Sequence, residues 1–287
     1  MTKMKKTSHI WLGNRHWIAA RFAVFVLASV SLAAQWVNYP TPGIPKTPSG
    51  LPNLGAPTPR TPDGRPDFSG MWEAENTLPC DPKDGGDNCT DIPIGIKLLD
   101  IATGLKDGLP YQPWAAALAK KRSAEMEGDS PTTHCLPAGV PRMHTQPEFK
   151  KYVQLPVLLV IMIEYNATYR QIFLDGRPLP ADPQPSWNGY STGHWEGDAL
   201  VVETNGLRDM WLDLAAGNPI TEAAKVTERF RRLNYGNMEI ELTVDDPKAY
   251  TKPWTVKLNQ YIVLNTEMLD YHCLENEKDA AHMPKAK

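Results

Sequence analysis

From about residue 135 onward the chain is a succession of short runs rich in Val, Ile, Thr and aromatic residues, each cut off by turn residues. Runs of that length and composition read as strands. Residues 153–165 lead into 168–174 across Asn166-Ala167, and 190–196 into 199–204 across Gly197-Asp198. Residues 225–233 lead into 238–244 across Tyr235-Gly236-Asn237, and 254–258 and 267–273 finish the series. Glycine at the first central position of the Gly197-Asp198 loop suits a type II′ hairpin. Eight short strands in sequential hairpins predict an antiparallel up-and-down β-barrel, because closure leaves no open edge. A two-sheet β-sandwich is the alternative. The run VLLVIMI at 157–163 is apolar on both faces and so calls for cover on both.

The N-terminal part supplies that cover. Residues 40–62 hold eight prolines and few large apolar residues, which reads as an extended, semi-rigid linker spanning 34–62. Residues 63–130 are turn-rich and form an arm around the barrel, within one domain at 63–287. One helix is expected there, opening at Pro113 and running through WAAALAKKRSAEME to a stop at Gly128.

Charge and cysteine content place the chain in a compartment. Five cations and no anions precede the apolar stretch FAVFVLASVSLAA, which ends in small residues. That pattern reads as a secretory signal peptide over residues 1–33, too short for a comfortable membrane span of roughly 20 apolar residues. Its removal takes the net charge from −3 to −8. An acidic mature chain argues against nucleic acid and against membrane insertion. Four cysteines in an oxidising compartment suggest two disulfides, with three pairings open. We favour Cys80–Cys89 and Cys135–Cys273.

Two sets of motifs resemble known families. Gly70-Met71-Trp72, ahead of a β-meander, resembles the opening of lipocalin and calycin-type barrels, whose Trp plugs one barrel end and whose interior binds small, mostly apolar molecules. CLPAGVPR at 135–142, GHWEGDALVVETNG at 193–206, VTERFRR at 226–232 and DDPKAYTKPWTV at 245–256 resemble a largely uncharacterised exported bacterial family. The second resemblance implies a periplasmic or secreted location and carries no activity with it.

The candidate chemistry rests on the expected hairpins. Pairing Phe230 with Leu242 and Glu228 with Val244 puts Glu228 on the apolar, inward face, with Arg229 beside it. A desolvated carboxyl has a raised pKa and suits acid–base work, unless an interior Arg holds it. Glu164 is in phase with Leu158, Val160 and Met162, facing Tyr169 or Arg170 depending on the loop. Trp195 opposite Leu200 and His194 opposite Val201 put Glu203 on the face of His194, a pair able to shuttle protons if it lines a pocket. Trp195, Tyr165 and Trp211 are candidate ligand contacts among nine Trp and ten Tyr.

Other chemistry finds less support. His134 and His144 flank the CLPAGVPR turn, and Asp270 and His272 alternate on one strand, but no short zinc signature appears. Asp81, Asp84, Asp87 and Asp91 lack the EF-hand pattern. No cofactor or metal is expected, and neither a nucleophile elbow nor a phosphate loop is present. The expected function is therefore an exported barrel holding a small apolar or aromatic molecule in its interior. The alternatives are a cofactor-free lyase or isomerase in the same cavity, and a cell-envelope interaction module.

Overall fold

The computed structural model describes residues 39–75, 95–125 and 130–273. The expected signal peptide, the Cys80–Cys89 pair and Asp81, Asp84, Asp87 and Asp91 lie outside them. Nine strands close into a barrel: β1 (Gly70–Ala74), β2 (Lys150–Leu155), β3 (Leu158–Ile163), β4 (Thr168–Phe173), β5 (Tyr190–Glu196), β6 (Ala199–Asn205), β9 (Lys225–Arg232), β10 (Asn237–Asp245) and β11 (Trp254–Val263). The short β7 (Met210–Trp211) and β8 (Pro219–Ile220) pair apart from it. Among the described residues, the one-turn α1 (Ile96–Leu99) and the longer α2 (Pro113–Ala124) are the α-helices. α2 begins at the expected proline, and Trp114 Nε1 donates to the Lys248 carbonyl at 2.8 Å.

Alternation builds the wall. Along β9 and β10 every second residue is buried, so Val226, Glu228, Phe230 and Arg232 face inward with Met238, Ile240, Leu242 and Val244. The expected register is two residues off: Phe230 pairs with Ile240, and Glu228 with Leu242. The loop is Asn234-Tyr235-Gly236, because the Asn234 side chain accepts the Gly236 amide at 3.0 Å and starts the turn early. A slip of two preserves every face, so the inward placement of Glu228 survives. The Gly197-Asp198 hairpin has the expected register throughout, with Gly197 at φ +60 and Asp198 outside the positive-φ region, as a type II′ turn requires.

Two strand expectations need correction. The stretch 153–165 is not one strand: Pro156, which has no N–H to give a ladder, turns the chain, and Leu155 pairs with Leu158 across Pro156-Val157. Only one face of β3 is fully buried, with Leu158, Val160 and Met162 half-exposed outside. Residues 267–273 add no strand beyond an isolated bridge from Tyr271 to Tyr165. The closing place belongs to β1, between β11 and β2. Trp72 there is fully buried, donates Nε1–H to the Phe68 carbonyl at 2.9 Å and lies under the Arg232 guanidinium, 4.9 Å from its ring.

Nine is an odd number, so a closed barrel cannot have only antiparallel neighbours. The exception is β4–β5, which run parallel over just two register pairs, Ile172 with Ser191 and Phe173 with Thr192. The crossover 174–189 carries Pro178, Pro180, Pro183 and Pro185, which deny it the donors for a hairpin strand of its own. The wall is open beside Thr168, Tyr169 and Gln171.

The proline-rich stretch lies on the barrel. Ala56 and Leu54 carbonyls accept the Tyr235 and Gly236 amides at 2.8 Å, and Thr58 Oγ1 donates to the Arg232 carbonyl at 2.8 Å. Cys135 and Cys273 are disulfide-bonded across 138 residues of sequence. Replacing both by Ser should lower unfolding stability by about 2–5 kcal/mol, since so long a loop constrains the unfolded chain strongly. Urea denaturation of the oxidised wild type against the double variant measures it.

Candidate functional site

Glu228 is the centre of the barrel's polar interior. It is fully buried on β9, and its carboxylate is gripped by Arg170 of β4: Nη1 donates to Oε1 at 2.9 Å and Nη2 to Oε2. Arg170 also donates from Nη2 to Thr204 Oγ1 of β6 at 2.9 Å and from Nε to Ser191 Oγ of β5 at 3.2 Å. The two hydroxyls bond each other at 2.9 Å. His144 completes the set, with Nε2 2.6 Å from Glu228 Oε1. It comes from a buried 3₁₀ turn, Arg142–His144, whose place is held by Gln260 Nε2 donating to the His144 carbonyl at 2.8 Å.

The charges follow from this geometry. Burial drives the Glu228 carboxyl upward, but the Arg170 charge and the hydrogen bonds from His144 and Arg170 outweigh it and hold the pKa down to about 2. Burial lowers the pKa of His144, the bond and charge of Glu228 oppose that, and Arg170 and Lys150 push it down again. His144 is therefore neutral at pH 7 and gives its Nε2–H to the carboxylate. Its Nδ1 is a buried lone pair without a partner. Glu228 is thus a fixed anion and not a tuned acid, the outcome in which an interior Arg holds it.

The other expected site residues do not gather around it. Arg229 follows an inward residue, so it points outward, where Nη1 meets Glu196 Oε2 at 2.5 Å. His194 and Glu203 do share a face, but it is the outer, exposed one, and His194 lies 3.3 Å from Glu196. Glu164 sits in the loop after β3, not opposite Tyr169 or Arg170, whose partners are Met162 and Ile161. There it accepts the Phe149 and Leu269 amides at 3.1 and 2.7 Å. Trp195 stacks on Phe68 at one barrel end, 5.8 Å between centroids. Trp211 is buried in β7 under Arg122, and Tyr165 is buried beside Tyr271. These three rings do not converge on one pocket. His144 was visible only as a histidine beside a proline-rich turn, because its contact with Glu228 spans 84 residues.

Nor is the barrel hollow at its middle, where Phe230, Ile240, Leu242, Leu200, Val202 and Ile161 have no exposed surface. Open space lies instead at the surface: one cleft of about 630 Å³ runs between the proline-rich stretch and β1, and another of about 460 Å³ lies at the β4–β5 seam. Tyr169, Phe173, Trp187 and Tyr190 line it, together with Asn188, Pro137, Arg170 and Ser191. Phe173 and Tyr190 stack at 5.2 Å, and Arg208 approaches Trp187 at 5.6 Å from its ring. Asn188 spans the gap by donating Nδ2–H to the Tyr169 carbonyl at 2.9 Å, while its Oδ1 is buried without a partner. The seam is open because β4 and β5 pair so briefly, and its floor is the Arg170–Ser191 end of the buried network.

A scan against protein-family models returns no match, and a search of curated proteins returns none.

Glu228→Gln should destabilise the fold by about 3–5 kcal/mol at neutral pH, because it leaves the Arg170 charge buried and unpaired. The folded pKa of Glu228 lies below its ordinary 4.5, so its contribution is complete above that pH and is lost as pH falls towards about 2. Urea unfolding from pH 7 to pH 2 should show a steeper acid loss in wild type than in Glu228→Gln.

Proposed function

We propose that this protein is an exported β-barrel that binds a small aromatic or apolar molecule in the cleft at its β4–β5 seam. The observation that carries it is the cleft's lining: four aromatic rings around about 460 Å³, over a floor of Arg170 and Ser191. Rings of this kind bury the flat faces of a ligand at little entropic cost. Arg170 has its donors committed to Glu228, Thr204 and Ser191, so it offers the ligand a rigid wall. The unpartnered Asn188 Oδ1 favours a ligand with an N–H or O–H donor beside its ring. The site is in the barrel wall, not in the packed interior. Export is supported by the basic and apolar N-terminal pattern and by the Cys135–Cys273 disulfide. Membership of the exported bacterial family resembled by the CLPAGVPR and GHWEGDALVVETNG motifs belongs to the same proposal.

One observation favours a second function, acid–base catalysis. His144 is oriented by a carboxylate at 2.6 Å and keeps a free Nδ1, the arrangement of a positioned base. In that case His144 takes the proton, and Glu228 orients it.

Titration with 2-naphthol, a neutral fused-ring phenol, distinguishes the sites by tryptophan fluorescence. Wild type should show saturable quenching, Trp187→Ala should weaken binding about tenfold or more, and Trp195→Ala should leave it unchanged. Equal binding by wild type and Trp187→Ala would remove the seam cleft as the site.

A further inference from the structure

Where β10 leads into β11, residues 252–255 face a turn of the arm at 105–110 across a cleft of about 300 Å³. Gly108, at φ +65, closes that turn by donating its N–H to the Leu105 carbonyl at 3.3 Å. The two walls are stitched together just beyond the cleft. The Thr251 amide and hydroxyl both donate to the Pro110 carbonyl, at 2.7 and 3.1 Å, and the Gln112 amide donates to the Ala249 carbonyl at 2.8 Å. The cleft is therefore a fixed gap between two anchored segments.

Its charges are unanswered. Lys106 lines one wall and Lys252 the other, and Asp107 is the one acid beside them among the described residues. All three are exposed, and among the described residues none makes an ion pair or a side-chain hydrogen bond. Lys151, Lys248 and Lys257, by contrast, each meet a glutamate. Two cations against one anion leave the lining at +1. Trp254 also lines the cleft, and its Nε1–H is buried without a partner, so the unmet polar group there is a donor too. Unpaired cations facing one space from two segments describe the complement of an anion. Leu105, Pro110, Pro253 and Trp254 make much of the remaining wall apolar. Phosphate is held by successive backbone N–H groups, and the prolines at 110 and 253 have none to give. A single negative charge on an apolar body fits both the +1 lining and these walls.

We infer that the cleft between residues 105–110 and 252–255 is a binding site for a small organic carboxylate. Lys106 and Lys252 take the carboxylate group, and the apolar body lies against Leu105, Pro253 and Trp254. This cleft shares no lining residue with the β4–β5 seam, so the site stands or falls independently of the seam.

Titration of the full chain, followed by the indole N–H resonances in ¹H–¹⁵N NMR at pH 7 and constant ionic strength, tests it. The probes are sodium benzoate, its neutral counterpart benzamide, and sodium phosphate. The Trp254 resonance, identified by its loss in Trp254→Phe, should shift saturably with benzoate. The double variant Lys106→Gln/Lys252→Gln alters only exposed side chains and should weaken that affinity about fivefold or more, the worth of two exposed ion pairs. Trp187→Ala, in the seam, should leave it unchanged. No saturable shift, equal affinity in the double variant, or benzamide binding as tightly as benzoate overturns the site. Loss of the shift in Trp187→Ala overturns it in favour of the seam. A shift with phosphate and not with benzoate overturns the organic-carboxylate assignment.

Discussion

The bond between Arg170 and Glu228 carries the part of the barrel that backbone pairing leaves undone. An odd number of strands forces one parallel neighbour, and here that pair shares only two registered positions. A ladder so short contributes little. Arg170 compensates from inside, reaching Ser191 on β5, Thr204 on β6 and Glu228 on β9 from its seat on β4. The desolvation this entails is offset because every group in the cluster gains partners, and one charge is answered by one opposite charge. His144 then ties the plug at residues 142–144 to the same carboxylate.

Chemistry and architecture compete for the same residues. Placed alone on an apolar face, Glu228 would be a raised-pKa acid. Placed within reach of Arg170, it becomes a permanent anion whose role is to hold others in position. The interior is spent on packing and on this network, and the seam cleft lies where the wall is thinnest. The incomplete β4–β5 pairing that demands the interior stitch is also what opens the aromatic cleft above it.

Buried polar atoms without partners divide the molecule in a second way. Around Glu228 the donors are met. Arg142 Nε and the Tyr165 hydroxyl are donors without a partner, and His144 Nδ1 is an acceptor without one. In a well-packed domain such groups are rare and costly, and two of them, Arg142 Nε and His144 Nδ1, lie on the single 3₁₀ turn 142–144. The CLPAGVPR segment ends on Arg142, the first residue of that turn.

Local pattern was enough to determine the class of fold, the Gly197-Asp198 hairpin with its register, the start of α2 and the inward face of Glu228. Each depends on residues within one or two turns of chain, where alternation and turn chemistry act directly. The break at Pro156 and the early turn at Asn234 were missed because a turn's own side-chain bonds outvote its strand propensity. β1 was missed because its five residues carry too little period to declare a strand, and its partners are distant. What only the tertiary structure decided was the company each residue keeps. Arg170 beside Glu228, His144 against the same carboxylate and the open seam all arise from contacts between distant elements. Closure of the barrel brings those side chains together, and no feature of a residue's own neighbourhood encodes which charge it will meet there.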